Sequence, residues 1–307
     1  MDRCSYFIED ISLFGSYPTQ EFIDHLQEMG FKYFIDLTEE SDKNIVKYNV
    51  NDDTKKINYP IRDNDIPDNT QTFSAFILTL IEIIKNKNKM YVHCRGGHGR
   101  SGIVVACLIK LYYDIDTDKA LDLTYECHQK RRVMRDRWRQ LGSPQTLYQK
   151  KFVNDLFSQV YYNNYNINNN YMSNFYTAAM VININGSRVR FYNVDACYQA
   201  FKNETNVEYV NMLANEINPK RAKMAGLKSI GLTDWYSRRE HIMEKIMIEK
   251  FKQNPELLAK LLSTGLGEII KISKRTSFWN SIHYNRTGII LTKIRNNFYL
   301  NDHSCAP

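Results

Sequence analysis

No stretch of about 18 consecutive apolar residues occurs in the 307-residue chain, which argues against a membrane-spanning helix or a membrane partner. The opening Met1-Asp2-Arg3-Cys4-Ser5 lacks the basic-then-apolar pattern of a secretion signal. The six cysteines, at 4, 94, 107, 127, 197 and 305, are scattered, and no pair has metal-ligand spacing. A chain of this length needs no disulfide staples, so neither a metal site nor a disulfide framework is expected. No internal repeat relates the two halves. What remains is a chain long enough for two domains, its 43% hydrophobic residues sufficient for a core in each. A cytoplasmic or other reducing intracellular compartment suits the scattered thiols.

What the chain does have is concentrated in His93-Cys94-Arg95-Gly96-Gly97-His98-Gly99-Arg100-Ser101-Gly102. Lys89-Met90-Tyr91-Val92 before it is short and β-prone. Ile103 to Ile109 after it is apolar and long enough for a buried helix. The run is therefore expected to turn from a strand into a helix N-terminus. Gly96, Gly97 and Gly99 let the backbone curl until successive N–H groups line one bowl. The helix end adds partial positive charge, and Arg95 and His98 make the bowl basic. An anion and a thiolate both belong in such a place.

Cys94 is the expected nucleophile of phosphate-ester cleavage. Arg100 offers a planar fork to two phosphoryl oxygens, a grip that tightens as charge spreads over them. Ser101 beside the sulfur would stabilise it as a leaving group, and His93 would orient the loop from below. The expected phosphate-binding set is Arg95, Gly96, Gly97, His98, Gly99 and Arg100, with no metal and no cofactor required. A general acid must come from elsewhere. The acidic, proline-bounded stretch Tyr59 to Asp68 supplies Asp63 as first candidate and Asp65 as second, with Asp68 also present.

The Cys-x5-Arg-Ser loop, with its upstream Pro60-Ile61-Arg62-Asp63, resembles the cysteine-dependent dual-specificity and tyrosine protein phosphatases, in particular the kinase-associated phosphatase type. Ile11 to Pro18 and Ser143-Pro144-Gln145-Thr146-Leu147-Tyr148-Gln149 share the likeness, which covers roughly residues 5–158. The resemblance implies Cys94 as nucleophile, Arg100 as phosphate ligand and Asp63 as acid.

Phe31 to Leu37 reads as a strand running into the turn-prone segment 38–42, and Phe73 to Ile84 as a helix. Alternating strands and helices imply an α/β domain, a central mostly parallel sheet with helices on both faces, over residues 1–160. Residues 161–170 are asparagine-heavy and read as a flexible linker. Residues 171–307 form the second domain, mainly helical α+β. Asn185-Gly186 signals a type I′ hairpin. Helical patterns follow at Asp195–Lys202, Met243–Phe251 and Leu257–Leu262, the last two separated by Asn254-Pro255.

These landmarks resemble the NADAR (YbiA-like) family: Ser173-Asn174-Phe175, then Asp195-Ala196-Cys197-Tyr198-Gln199-Ala200-Phe201-Lys202, Trp235, Met243, Lys250 to Leu257, Trp279 and Asn285 to Gly288. The resemblance implies cleavage of N-glycosidic bonds in ADP-ribose-like or riboflavin-pathway nucleotides, through an oxocarbenium-like state. Carried over, Asp195 is the carboxylate, Lys202 a phosphate ligand, and Trp235 or Trp279 a stacking platform. The chain departs from the pattern: Asp195 stands for a glutamate, Ala196 for a histidine, Lys271 for a later glutamate, Thr276 for an acidic residue and Asn280 for a glycine. Binding without cleavage is therefore at least as strong an expectation, and the plain alternative for Asp195 is a helix N-cap.

The net charge of +7 gathers at Lys130–Arg139 and at Lys220–Lys228. Such runs are most often solvated helix faces, although the first could receive an acidic substrate. The expected partners are a phosphoprotein substrate and an ADP-ribose-like nucleotide or ADP-ribosylated substrate, with nucleic acid a further possibility. A non-catalytic phosphoprotein adaptor and an RNA 5′-phosphatase are the alternatives.

Overall fold

The computed structural model describes residues 2–43, 45–164, 168–229, 231, 233–273, 277–280 and 284–301. Two compact units emerge. Among the described residues, Gln159–Phe298 forms one; those before it, together with Tyr299, Leu300 and Asn301, form the other.

The first unit runs β1 (Cys4–Ile8), β2 (Ser12–Gly15), α1 (Gln20–Glu28), β3 (Phe31–Asp36), β4 (Lys55–Asn58), α2 (Thr70–Lys85), β5 (Lys89–His93), α3 (Arg100–Tyr113), α4 (Thr117–Gln129), α5 (Asp136–Leu141) and α6 (Leu147–Leu156). The strands lie in the order β1-β2-β5-β3-β4, parallel throughout except for the antiparallel β1–β2 pair. Alternating side chains of the strands face opposite ways. Leu13, Phe31, Phe34 and Tyr91 join Ile23 and Leu26 of α1 in one apolar cluster. The other face is covered by α2, α3, α4 and α6, which pack on one another. Helix α2 starts where the Asn69 side chain accepts the Gln71 and Thr72 N–H groups, a cap that the apolar spacing did not reveal. Ile103 to Ile109 of α3 are at most 1% exposed, so this helix is buried all round.

The second unit runs β6 (Val160–Tyr162), β7 (Met180–Ile184), β8 (Ser187–Phe191), α7 (Val194–Ala200), α8 (Val207–Ala214), α9 (Pro219–Lys228), α10 (Trp235–Lys252), α11 (Pro255–Leu262), β9 (Ile269–Lys271) and α12 (Arg286–Asn301), the last reaching past Phe298. β7 and β8 form the expected hairpin. Asn185 and Gly186 both sit in the left-handed region, at φ 49° and 82°, as a type I′ turn demands. Part of the expected linker is instead ordered structure. Tyr161 and Tyr162 belong to β6, which pairs in parallel with β9, and Tyr162 is 1% exposed. The Asn169 side chain donates to the Tyr161 carbonyl, and a 3-10 turn occupies Asn170–Met172. Asparagine here satisfies backbone groups, a local use that composition does not distinguish from solvation. Residues 165–167 of that stretch lie outside the described ones. Among the described residues, no helix is long and apolar enough to cross a membrane.

Candidate active site

The 94–99 loop leaves β5 at the carboxyl end of a central strand and enters α3 at Arg100. Its Gly99 N-cap provides no side-chain hydrogen bond, so the first-turn amides of α3 have no capping side chain. Cys94 is 3% exposed. Gly97 N–H donates to its Sγ at 3.2 Å, and Ser101 Oγ lies 3.6 Å from the same sulfur. Gly97 has φ +76°, and a Cβ there would sit 2.3 Å from the Gly15 carbonyl carbon. Glycine is thus required twice over, by conformation and by space.

Arg100 is 1% exposed. Nη1 and Nη2 donate to Asp42 Oδ2 and Oδ1 at 2.6 and 3.0 Å, and Nη1 also donates to the Ile61 carbonyl at 3.0 Å. Asp63 Oδ1 is 3.1 Å from Nη2 while its side chain remains 54% exposed. Nε is buried without a hydrogen-bond partner, which leaves a donor for an oxyanion. Burial raises the Asp42 carboxyl, but the Arg100 guanidinium and the Glu39 N–H outweigh it and hold Asp42 below its usual range. Asp65 and Asp68 are occupied differently. Asp65 Oδ1 accepts its neighbour Ile66 N–H, and Asp68 pairs with Arg62. Of the three acidic candidates, Asp63 is therefore the one in contact with the phosphate-loop arginine. Gln149 is fully buried and donates to the Asp65 carbonyl at 3.0 Å, joining the acidic loop to the N-terminus of α6.

Beneath the loop, His93 is fully buried, with Nε2 2.7 Å from Tyr48 OH. Burial pushes its imidazole down to about 4 despite Asp36 nearby. His98 was expected to make the bowl basic, and it does not. Its Nδ1 lies 2.7 Å from His128 Nε2, and its ring stacks on Trp138 with centroids 5.1 Å apart. Burial, then the Arg131 charge, push it down to about 4 and His128 to about 3, so both are neutral at pH 7. Arg95 is exposed. The Lys130–Arg139 run is not wholly a solvated face either. Arg131 is 3% exposed and donates to the Gly97 and Phe14 carbonyls, and Arg139 donates to the Gln129 and Arg131 carbonyls.

In the second unit, Asp195 is 7% exposed in the first turn of α7. It is not the N-cap. Asn193 takes that place, its side chain accepting Ala196 N–H at 2.8 Å. Asp195 Oδ2 has no hydrogen-bond partner. Burial pushes its carboxyl up to about 6 against the opposing pull of Lys223, Gln199, Lys271 and Lys202. Lys202 Nζ donates to the Gly226 carbonyl at 2.8 Å. Trp235 is 7% exposed and packs on Tyr198 with centroids 4.9 Å apart, whereas Trp279 is only half-buried, edge-on to the same tyrosine at 5.4 Å. Trp279 is accordingly the freer of the two rings for a ligand. Lys271, the lysine in place of a glutamate, contributes positive charge at Asp195; Thr276 lies outside the described residues.

The pattern described as "Swiss Army Knife protein, DSP-PTPase phosphatase domain" matches residues 3–153, and that of the NADAR domain matches residues 160–298. "Putative tyrosine phosphatase 197R" of Invertebrate iridescent virus 6 is 30% identical over 310 residues, covering 97% of this chain and 96% of the viral one. "Putative tyrosine phosphatase 067L" of Invertebrate iridescent virus 3 is 39% identical over 161 residues. That match takes in 51% of this chain and 66% of the relative, a little under two thirds of its length. The chain belongs to the DSP-PTPase phosphatases that carry a NADAR domain.

Solved structures are similar to each half. Tk-PTP in its active form is 20% identical over 48% of this chain and 92% of its own, with TM-score 0.38. The E. coli protein YbiA is 23% identical over 45% of this chain and 84% of its own, with TM-score 0.39. As a DSP-PTPase phosphatase the protein is a hydrolase of phosphoric monoesters. Sequence reasoning missed Asp42 and Arg131 in this phosphatase domain. Each acts across a long sequence gap, and each sits in a segment whose composition reads as an ordinary polar turn or charge run.

Proposed function

We propose that the first domain hydrolyses phosphotyrosine, and phosphoserine or phosphothreonine where the bowl admits them, through a phosphocysteine intermediate. Cys94 Sγ attacks phosphorus, and the P–O bond to the alcohol breaks while Asp63 gives that oxygen its proton. Water then attacks the phosphocysteine, and Asp63 takes its proton as the S–P bond breaks. The products are inorganic phosphate and free thiolate, its charge met by Ser101. Backbone amides of residues 95–100 and the Arg100 guanidinium hold the phosphoryl oxygens. The observation that carries this reading is a buried sulfur facing the Gly97 N–H and the Ser101 hydroxyl at the start of α3, with Asp63 touching Arg100.

The test is hydrolysis of para-nitrophenyl phosphate by wild type and Cys94→Ser. The serine variant is expected to be inert; equal rates would refute the thiolate mechanism and favour an adaptor or another chemistry. Parallel assays with phosphotyrosine peptide and 5′-triphosphorylated RNA separate a protein phosphatase from an RNA 5′-phosphatase. A reducing compartment, the infected cell's for a chain with iridescent-virus relatives, suits a free thiol nucleophile.

For the second domain the reading is binding of an ADP-ribose-like nucleotide, with cleavage of its N-glycosidic bond as the finer possibility. The supporting observations are the unpartnered Asp195 Oδ2 among three lysines, and the partly open Trp279 packed edge-on to Tyr198 of the same helix as Asp195. Calorimetric titration with ADP-ribose should give heat, and Asp195→Asn should lose release of free base from an ADP-ribosylated nucleotide. No heat and no release would leave a scaffold.

A further inference from the structure

Arg131 follows α4 and is the most deeply buried charge of the Lys130–Arg139 run. Nη1 donates to the Gly97 carbonyl at 2.7 Å and Nη2 to the Phe14 carbonyl at 3.2 Å, with the guanidinium 4.2 Å from the centre of the Phe14 ring. Its own carbonyl is held by Arg139 Nη2 at 3.1 Å. On the other side of the Gly97 Cα, the N–H of the same residue donates to Cys94 Sγ. One guanidinium therefore fixes the residue whose amide meets the sulfur, and ties it to β2, against whose last residue, Gly15, Gly97 is already packed.

No carboxylate lies within ion-pair distance of Arg131 among the described residues. The titratable groups facing it are Tyr91, Cys94, Cys4 and Cys127, together with His98 and His128, which its charge helps keep neutral. A buried, uncompensated cation is costly to a fold. The bowl, which gathers negative charge during turnover, lies directly in front of it, with Cys94 among the groups that face it.

We propose that Arg131 is a positioning residue of the phosphatase site: it holds the Gly97 carbonyl outside the bowl, aims the Gly97 N–H at Cys94 and places a fixed positive charge behind the loop. No polar ring of donors facing an oxyanion tolerates an inward carbonyl. A rotation of the Gly97–His98 peptide would turn the Gly97 carbonyl inward and set repulsion against the phosphoryl group, and it would release the Gly97 Cα from which the N–H reaches the sulfur.

The inference rests on Cys94 being the nucleophile, so Cys94→Ser is run alongside. If that variant still turns over substrate, the reading of the site fails before the role of Arg131 is reached. In the full chain, Arg131→Gln that remains folded by near-UV circular dichroism should lose roughly 10- to 100-fold in kcat on para-nitrophenyl phosphate, with KM changed less than about threefold. Iodoacetamide alkylation of Cys94 at pH 6, followed by peptide mass mapping, should slow by roughly tenfold, because the sulfur loses the aimed Gly97 N–H and the charge behind it. Burial pushes the thiols of Cys4, Cys107, Cys127 and Cys197 upward, so they stay silent in this assay. Arg131→Lys, which keeps the charge and loses the two-carbonyl link, should alkylate near the wild-type rate and fall between the two in kcat. A folded glutamine variant with wild-type kcat and alkylation rate overturns the proposal, as does a loss of kcat with alkylation unmoved. If the glutamine variant does not fold, the lysine variant decides: lowered kcat at constant KM supports the role, and unaltered kcat refutes it.

Discussion

Asp42 grips Arg100 with both carboxylate oxygens, at 2.6 and 3.0 Å, and both side chains are nearly sealed from solvent. The phosphate-binding arginine is thus oriented by a residue 58 positions away, in a turn without secondary structure of its own. Removing one partner of a buried pair strands the other charge, at a cost of about 3–5 kcal/mol.

Asp42→Asn should therefore lower the thermal midpoint and reduce kcat/KM on para-nitrophenyl phosphate, because Arg100 loses its fixed orientation. Saturating vanadate should restore more stability to the variant than to wild type, since the oxyanion supplies the missing negative charge. Equal vanadate stabilisation of the two proteins would contradict that account.

Gly97 and Gly186 make a matched pair. Both have positive φ, +76° and +82°, but a Cβ at Gly97 meets the Gly15 backbone whereas one at Gly186 meets nothing within 4 Å. Gly186→Ala should cost only the backbone penalty, about 1–2 kcal/mol, with phosphatase activity intact. Gly97→Ala should cost more and abolish tungstate binding and turnover, read by calorimetry and a para-nitrophenyl phosphate assay.

Burial holds His93, His98 and His128 well below their ordinary 6.5, at about 4, 4 and 3. Between those values and 6.5 the unfolded chain binds more protons than the folded one, so stability rises with pH there. The contribution is complete above about 6.5 and is lost as pH falls toward 4. Urea midpoints of phosphatase-domain unfolding, followed by Trp138 fluorescence with Trp235 and Trp279 replaced by Phe, should decline steadily from pH 7 to 4.5. His128→Gln should flatten the decline.

Asp195 has the opposite sign. Its carboxyl is pushed up to about 6 from 3.8, so ionisation above that range works against folding. Asp195→Asn should stabilise the NADAR domain at pH 7 by roughly 1–3 kcal/mol and gain nothing below pH 4, while losing any N-glycoside cleavage. A variant less stable than wild type at pH 7 would mean that the surrounding lysines outweigh desolvation.

The parts of this protein that follow from short-range pattern were legible. Phe31–Leu37 is β3 apart from its last residue, Phe73–Ile84 lies inside α2, and Asn185-Gly186 makes the turn its chemistry predicts. The Cys94–Ser101 loop was legible because its function demands glycine, arginine and a hydroxyl at fixed spacing. Asp42, Arg131 and Tyr48 were not. Their partners lie 58, 34 and 45 residues away, and nothing in a polar turn or a basic run distinguishes the one side chain that will be buried. His98 misled for the same reason: its charge state is set by burial and by the Arg131 cation, which only the fold brings to it.

Helix α3 carries Arg100 and Ser101 on its first turn and is sheathed by the core along the seven residues from Ile103 to Ile109. Its amides have no cheap local opening by which to exchange with solvent. Deuterium uptake along Ile103–Ile109 should track whole-domain unfolding, and proteolytic inactivation should follow the same rare event. The reactive centre would then fail together with the fold that holds it, without fraying first.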